Sequence, residues 1–244
     1  MRSAPGAHVS APEPALGIIG GAGVGAAARL YADVAAGFRA AAGRLPRIVI
    51  WNAPFSDSLE HAFTAAGPDD AEVLAAEGLV AEAVERLLAA GASVIAMPCN
   101  SLQRAAVSAA RERGAPFIDM IDATLEAVVE SGVRRVVLLA TDATQAAGIY
   151  EGRGVEIANT PATLRAELDE LISHAVNGPP PTEARLRALV EAARRPHAAV
   201  VLGCTDICGL VHWRPGEAAA VESLGCLRER CVEALLAADA LAAA

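Results

Sequence analysis

The stretch "VIAMPCNS", Val94 to Ser101, carries an apolar run into Pro98 and sets a cysteine, Cys99, just past its end. A thiol needed only for packing belongs inside such a run. One placed where a strand gives way to a loop and helix stands at the carboxyl edge of a sheet, where open α/β sheets bind ligands. The arrangement recurs in "AVVLGCTD", Ala199 to Asp206: an apolar run, Cys204, then a small polar residue. Each copy follows a helical stretch, at 71–90 and 183–194. Earlier in each half, "LGIIGGAGVG" and "VVLLATDATQ" both read as a strand ending in a turn of small residues. Two similar units facing each other would bring Cys99 and Cys204 to one cleft from opposite sides.

Outward from these motifs, the apolar pattern alternates strands with helices. "LGIIGG", "RIVIWNAP", "ASVIAMP", "PFIDMI", "RRVVLLAT", "GVEIANT" and "HAAVVLG" read as strands. Helices are expected at about 26–42 and 70–90, the second with Val73, Leu74, Val80, Val84 and Leu87 on one stripe. "VNGPPPT", 176–182, reads as a surface loop, because its prolines cannot continue a helix. Strands alternating with helices imply an α/β fold whose mostly parallel sheets are covered on both faces.

Composition removes several classes. The chain of 244 residues is long enough for one large domain or two compact ones. A net charge of −9 argues against a nucleic-acid partner, which would need a basic face. No apolar run reaches the roughly 18–20 residues that span a bilayer. The opening "MRSAPGAHVSAPEPA" lacks the apolar core of a signal peptide, so residues 1–14 read as a disordered tail and the protein as cytoplasmic. Every basic residue apart from histidine is an arginine. Without lysine, no internal aldimine with pyridoxal phosphate can form.

The thiols suggest the chemistry. A thiolate on one face of a substrate can take a proton from carbon, and a thiol on the other face can return one, inverting the centre. The negative charge that builds on the adjacent carboxylate needs donors waiting for it. Asn52, Asn100, Ser101, Thr141, Thr144 and Thr205 all fall at expected strand ends and can supply them.

In order and spacing, "GIIGGAG", "WN", "MPCNS", "LLATDATQAAGIY" and "LGCTD" resemble the motif series of the aspartate/glutamate racemase superfamily, from about Leu16 to Asp206. The resemblance implies two pseudo-symmetric flavodoxin-like lobes with the active site in the cleft between them. It implies no cofactor, a small carboxylate substrate and a homodimer. Cys99 and Cys204 become the acid/base pair, and Asn52, Ser101, Thr144 and Thr205 fall on substrate-binding positions. The C-terminal segment is expected to return to the first lobe, giving 15–103 plus 209–244 as lobe 1 and 104–208 as lobe 2. The expected activity is racemisation or epimerisation of an amino acid or related carboxylate, with isomerisation or decarboxylation as alternatives in the same cleft.

The chain departs from the family pattern at several positions. It reads "PCNS" where the family usually has Pro-Cys-Asn-Thr, and "GCTD" where Gly-Cys-Thr-Glu is usual. Ala143 replaces a glycine before Thr144. The arginine that aspartate racemases carry shortly after the strand-two asparagine is missing from "NAPFSDSLEH". Arg153, just after Tyr150, is the cation expected to compensate.

Two rival readings remain. Gly21, Gly23 and Ala26 match the G-x-G-x-x-A turn of NAD(P)-binding proteins, although Asn52 stands where an acid should meet the ribose. A non-catalytic binding protein of the same fold is the other. Cys204, Cys208 and His212 fall at helical spacing, but they lack the closely paired cysteines of structural zinc sites. Cys208, Cys226 and Cys231 are expected to be core thiols.

Overall fold

The computed structural model describes residues 13–56, 58–59, 62–63, 69–179, 181–213 and 219–242. The expected tail lies outside these residues except for its last two positions. Strands β1 (Ala15–Gly20), β2 (Arg47–Asn52), β3 (Val94–Ala96) and β4 (Phe117–Ile118) form one sheet in the order β2–β1–β3–β4. Strands β5 (Arg135–Leu139), β6 (Glu156–Ala158), β7 (Ala199–Leu202) and β8 (Val221–Glu222) form a second in the order β6–β5–β7–β8. Every pairing is parallel. The two orders trace the same path twice, so the lobes are pseudo-symmetric copies of one α/β design.

The helices are α1 (Val24–Ala42), α2 (Asp70–Ala89), α3 (Gln103–Glu112), α4 (Met120–Glu130), α5 (Asp142–Ala146), α6 (Arg165–Asn177), α7 (Glu183–Ala193) and α8 (Ser223–Ala242). Their starts are set locally. Asp69 and Glu72 close a capping box on α2, each side chain accepting from the other's amide. Asp119, Thr141 and Thr182 accept amide hydrogens at the starts of α4, α5 and α7. Helix α2 buries Ala76, Val80, Ala83, Val84 and Leu87, the 3–4 spacing of an amphipathic helix, and burying each of its Val and Leu side chains is worth about 1.5–3 kcal/mol. No helix among the described residues is long and apolar enough to cross a membrane.

The largest core cluster runs through both lobes. It joins Leu16, Ile18 and Phe38 to Val137, Leu139 and Leu202, with Leu224, Leu227 and Leu235 of α8 among them. Helix α8 packs on α1 and α4 and reaches the first sheet.

Several boundaries differ from the sequence reading, each for a physical reason. "PFIDMI" is a strand only to Ile118, because Asp119 caps α4 and turns the rest of the run into helix. Helix α6 includes Val176 and Asn177 and stops at Gly178, so the loop begins two residues later than expected. Strand β4 lies beyond residue 103 yet pairs with β3 in the first sheet, and β8 lies beyond residue 208 yet pairs with β7 in the second. The crossing points are therefore set by the last strand of each sheet rather than by the cysteine motifs.

Candidate active site

In each sheet the order of strands reverses direction around a central pair, β1 and β3 in the first and β5 and β7 in the second. Crevices open at such switch points, beyond the carboxyl ends of the strands. Cys99 follows β3 and Cys204 follows β7, so the two thiols occupy equivalent positions. Both line one cleft between the lobes, ≈ 460 Å³ including its open mouth, together with Ala22, Gly23, Asn100, Ser101, Thr141, Thr144, Gly203, Thr205 and Asp206. Phe55, Leu59, Phe63 and Leu102 complete its wall.

The first thiol is held by its own turn. Cys99 Sγ lies 3.4 Å from Ser101 Oγ, with the Ser101 and Leu102 amides beside it favouring the thiolate. Its pKa is raised, chiefly by burial and also by Asp206, while the serine and these amides offset part of the rise. Gln103 fixes the loop: its Nε2 donates to Met97 O at 3.2 Å, and its Oε1 accepts from the Met120 amide at 2.6 Å.

The second thiol has a different neighbour. Cys204 is 5 % exposed, and its Sγ lies 3.7 Å from Asp206 Oδ2, to which it donates. Burial raises this thiol well above its ordinary value, and the Asp206 carboxylate pushes it further. Gly203 allows the tight exit from β7, since a Cβ there would lie 2.7 Å from Leu138 Cδ1.

Polar side chains lock the lobes around the thiols. Asn100, 3 % exposed, donates from Nδ2 to Ser223 Oγ at 3.1 Å. Its Oδ1 accepts from the Tyr150 hydroxyl at 2.6 Å. Thr205 Oγ1 donates to Pro98 O at 3.0 Å, across the cleft. Thr141 Oγ1 donates to Thr144 Oγ1 at 3.0 Å.

Residues 19–223 match the profile of the Asp/Glu/Hydantoin racemase family. The chain belongs to that family. Its fold is similar to that of an aspartate racemase homologue from Pyrococcus horikoshii OT3, with a TM-score of 0.69 at 23% identity over 91% of this chain and 98% of that one. Picrophilus torridus aspartate racemase gives a TM-score of 0.69 at 21% identity, over 91% of this chain and 94% of that one. Glutamate racemase from Thermus thermophilus, in complex with β-chloro-D-alanine, gives 0.61 at 22% identity over 93% and 82%.

Seven of the nine expected site residues thus line a single cleft in this racemase-family chain. Two are placed elsewhere. Asn52 is exposed at the end of β2, paired in register with Gly20, and is not among the residues lining the cleft. Arg153 pairs with Asp119, at 3.2 Å, and with Asp122, so its charge is spent on the start of α4 and not on the cleft.

Asp206 escaped the sequence reading, although the "GCTD" motif displayed it. Its contact with Cys204 depends on the fold of the turn, and its contact with Gly23 on the meeting of distant segments. A Cβ on Gly23 would lie 3.1 Å from Asp206 Oδ1, so the carboxylate packs against the glycine turn that resembled a dinucleotide site. An anion there repels the pyrophosphate that such a turn would have to hold. The metal spacing also dissolves. Residues 205–209 form turns and not a helix, Cys208 donates to Cys204 O at 3.3 Å, and His212 sits at the surface beside Glu183.

Proposed function

We propose that the protein inverts the stereocentre next to a carboxylate by proton transfer between Cys99 and Cys204, without a cofactor. The observation that carries this reading is that the two thiols, from equivalent points of two matching sheets, line one cleft. Their surroundings assign starting roles. Burial raises both thiols and Asp206 adds to both, but a serine and two amides offset part of the rise at Cys99, whereas Cys204 lies against the carboxylate itself and is raised further. Cys99 therefore loses its proton to solvent first and acts as the base, and Cys204 starts as the acid.

The α-proton moves to Cys99 Sγ, and the C–H electron pair passes into the carboxylate as an enediolate. Cys204 then delivers its S–H proton to the opposite face of the carbon. The cycle leaves a Cys99 thiol and a Cys204 thiolate. Asp206 makes that thiolate unfavourable, which favours its reprotonation from solvent; the pair is reset once Cys99 has also given its proton up to solvent. Because Thr141 donates to Thr144, the Thr144 hydroxyl hydrogen is available to the enediolate oxygens, with Ser101 beside it. Asn100 and Thr205, engaged with Tyr150, Ser223 and Pro98, position the two cysteine loops.

The test is incubation with amino and related carboxylic acids in deuterated buffer, with mass spectrometry for α-deuterium and chiral chromatography for inversion. Deuterium entering both enantiomers of one acid supports the reading. Loss of carbon dioxide, or no exchange across the panel, would remove it.

A further inference from the structure

Resting on the reading that the thiols mark the reacting carbon, we propose that the substrate is a monocarboxylic acid whose stereocentre carries an apolar branched or aryl group. The cleft wall beside the thiols is Phe55, Leu59, Phe63 and Leu102. Phe63, Ser101 and Leu102 also line a second pocket, ≈ 580 Å³ including the open solvent at its mouth, which continues past Ala143 and Ile149. Apolar side chains thus line one wall of the space leading away from the sulfurs, with the charged groups of the second pocket, Glu77 and Arg104, beyond them.

Charge points the same way. Among the described residues lining the cleft there is no arginine and no histidine, and the one ionisable group besides the thiols is Asp206. The sequence from 48 to 85 contains no arginine or lysine at all. A second carboxylate entering this cleft would be stripped of water beside an existing carboxylate, without a bidentate partner. An apolar group would be stripped of water at a gain, and against aromatic rings that fit its faces. Arg104 is exposed on the rim of the outer pocket, where its Nη2 donates to Ala147 O at 2.6 Å. It holds the lobes together at that rim and stands outside the wall next to the thiols.

Titration calorimetry on the whole chain separates this proposal from the reaction itself. The probes are L-phenylalanine, L-leucine, 2-phenylpropionate, aspartate and glutamate. The expected result is that at least one apolar acid binds tenfold or more tighter than either dicarboxylate. In Phe55→Arg that order should reverse, and in Phe55→Ala the apolar acid alone should weaken. Binding in this order supports the proposal whether or not α-proton exchange follows, because exchange reads the thiol chemistry alone. Equal or tighter binding of aspartate or glutamate, or no binding of any probe, overturns it. So does glutamate binding that is lost in Arg104→Ala, which would assign the outer pocket to a second carboxylate.

Discussion

The Tyr150 hydroxyl donates to Asn100 Oδ1 at 2.6 Å, and this buried bond crosses from the second lobe to the residue that follows the first catalytic-candidate thiol. Burial raises the phenol pKa, so it stays a donor throughout the usable pH range. In Tyr150→Phe the Asn100 oxygen loses its donor in a dry site, which costs about 1–3 kcal/mol. We expect a lower melting temperature together with a fall in kcat that exceeds any change in KM, read by thermal denaturation and steady-state kinetics.

Replacing either thiol separates the two faces. Cys99→Ser and Cys204→Ser should each lose inversion by roughly a thousandfold or more, since a serine hydroxyl is a far weaker acid and base than a thiol. Each variant should still exchange the α-proton of one enantiomer, through the surviving sulfur. Unimpaired inversion by either variant would end the two-thiol mechanism.

Asp206→Asn changes a pKa in a known direction. The carboxylate raises the Cys204 thiol, so its removal lowers that value and increases the thiolate fraction at a given pH. Peptide mapping after iodoacetamide should show the Cys204 alkylation profile moved to lower pH, with that of Cys99 moved less. Turnover should fall at the same time, because the thiolate left after each cycle is no longer pushed to reprotonate. An unmoved Cys204 profile would show that Asp206 does not act on this sulfur.

Arg153→Ala should leave KM within about twofold. Its partners Asp119 and Asp122 are on α4, and a partly exposed pair of this kind contributes about 0–1 kcal/mol to stability. A rise in KM of tenfold would place this guanidinium on the substrate after all.

Alkaline pH should unfold the protein through its core thiols. Burial pushes Cys208 and Cys231 up to about 12 from an ordinary value of 9.0. The folded state holds these protons more tightly than the unfolded chain does. The stability they contribute is therefore complete below pH 9 and is lost as pH rises toward 12. Within that window each thiol steepens the decline by about 1.4 kcal/mol per pH unit. Urea midpoints measured between pH 8 and 11 should fall, and Cys231→Ala should start lower yet fall less steeply.

Much of this fold could be read from the chain because its strands are covered on both faces. That burial forces unbroken apolar runs, and a thiol at the end of such a run stands out. The same rule misled at "PFIDMI", where the run continues into a helix and only the Asp119 side chain marks the change. Strand β8 has two residues, too few to show any period. Helix α8 buries residues toward both α1 and α4, which blurs the single stripe that reveals α2. Arg153 looked available because the sequence does not show which acids it meets. The acids that hold it lie more than thirty positions away, as the 31-residue and 34-residue separations of its two contacts show. Asp206 was visible as a letter, but its effect on Cys204 and its packing on Gly23 depend on how the turn folds and how the lobes meet.

Helix α8 sets an order of events during folding. One of the two helices it packs on, α1, precedes it by about 200 residues, and both belong to the core that joins the lobes. A contact between such distant segments carries a large loop-closure cost and belongs to the slow end of folding rates. On the ribosome, α1 therefore emerges long before the helix that covers it, with Leu30, Val34 and Phe38 lacking their final partners for most of synthesis. The cleft with its two sulfurs is complete only after that last helix docks, because Ser223, its first residue, is the one that receives the Asn100 amide.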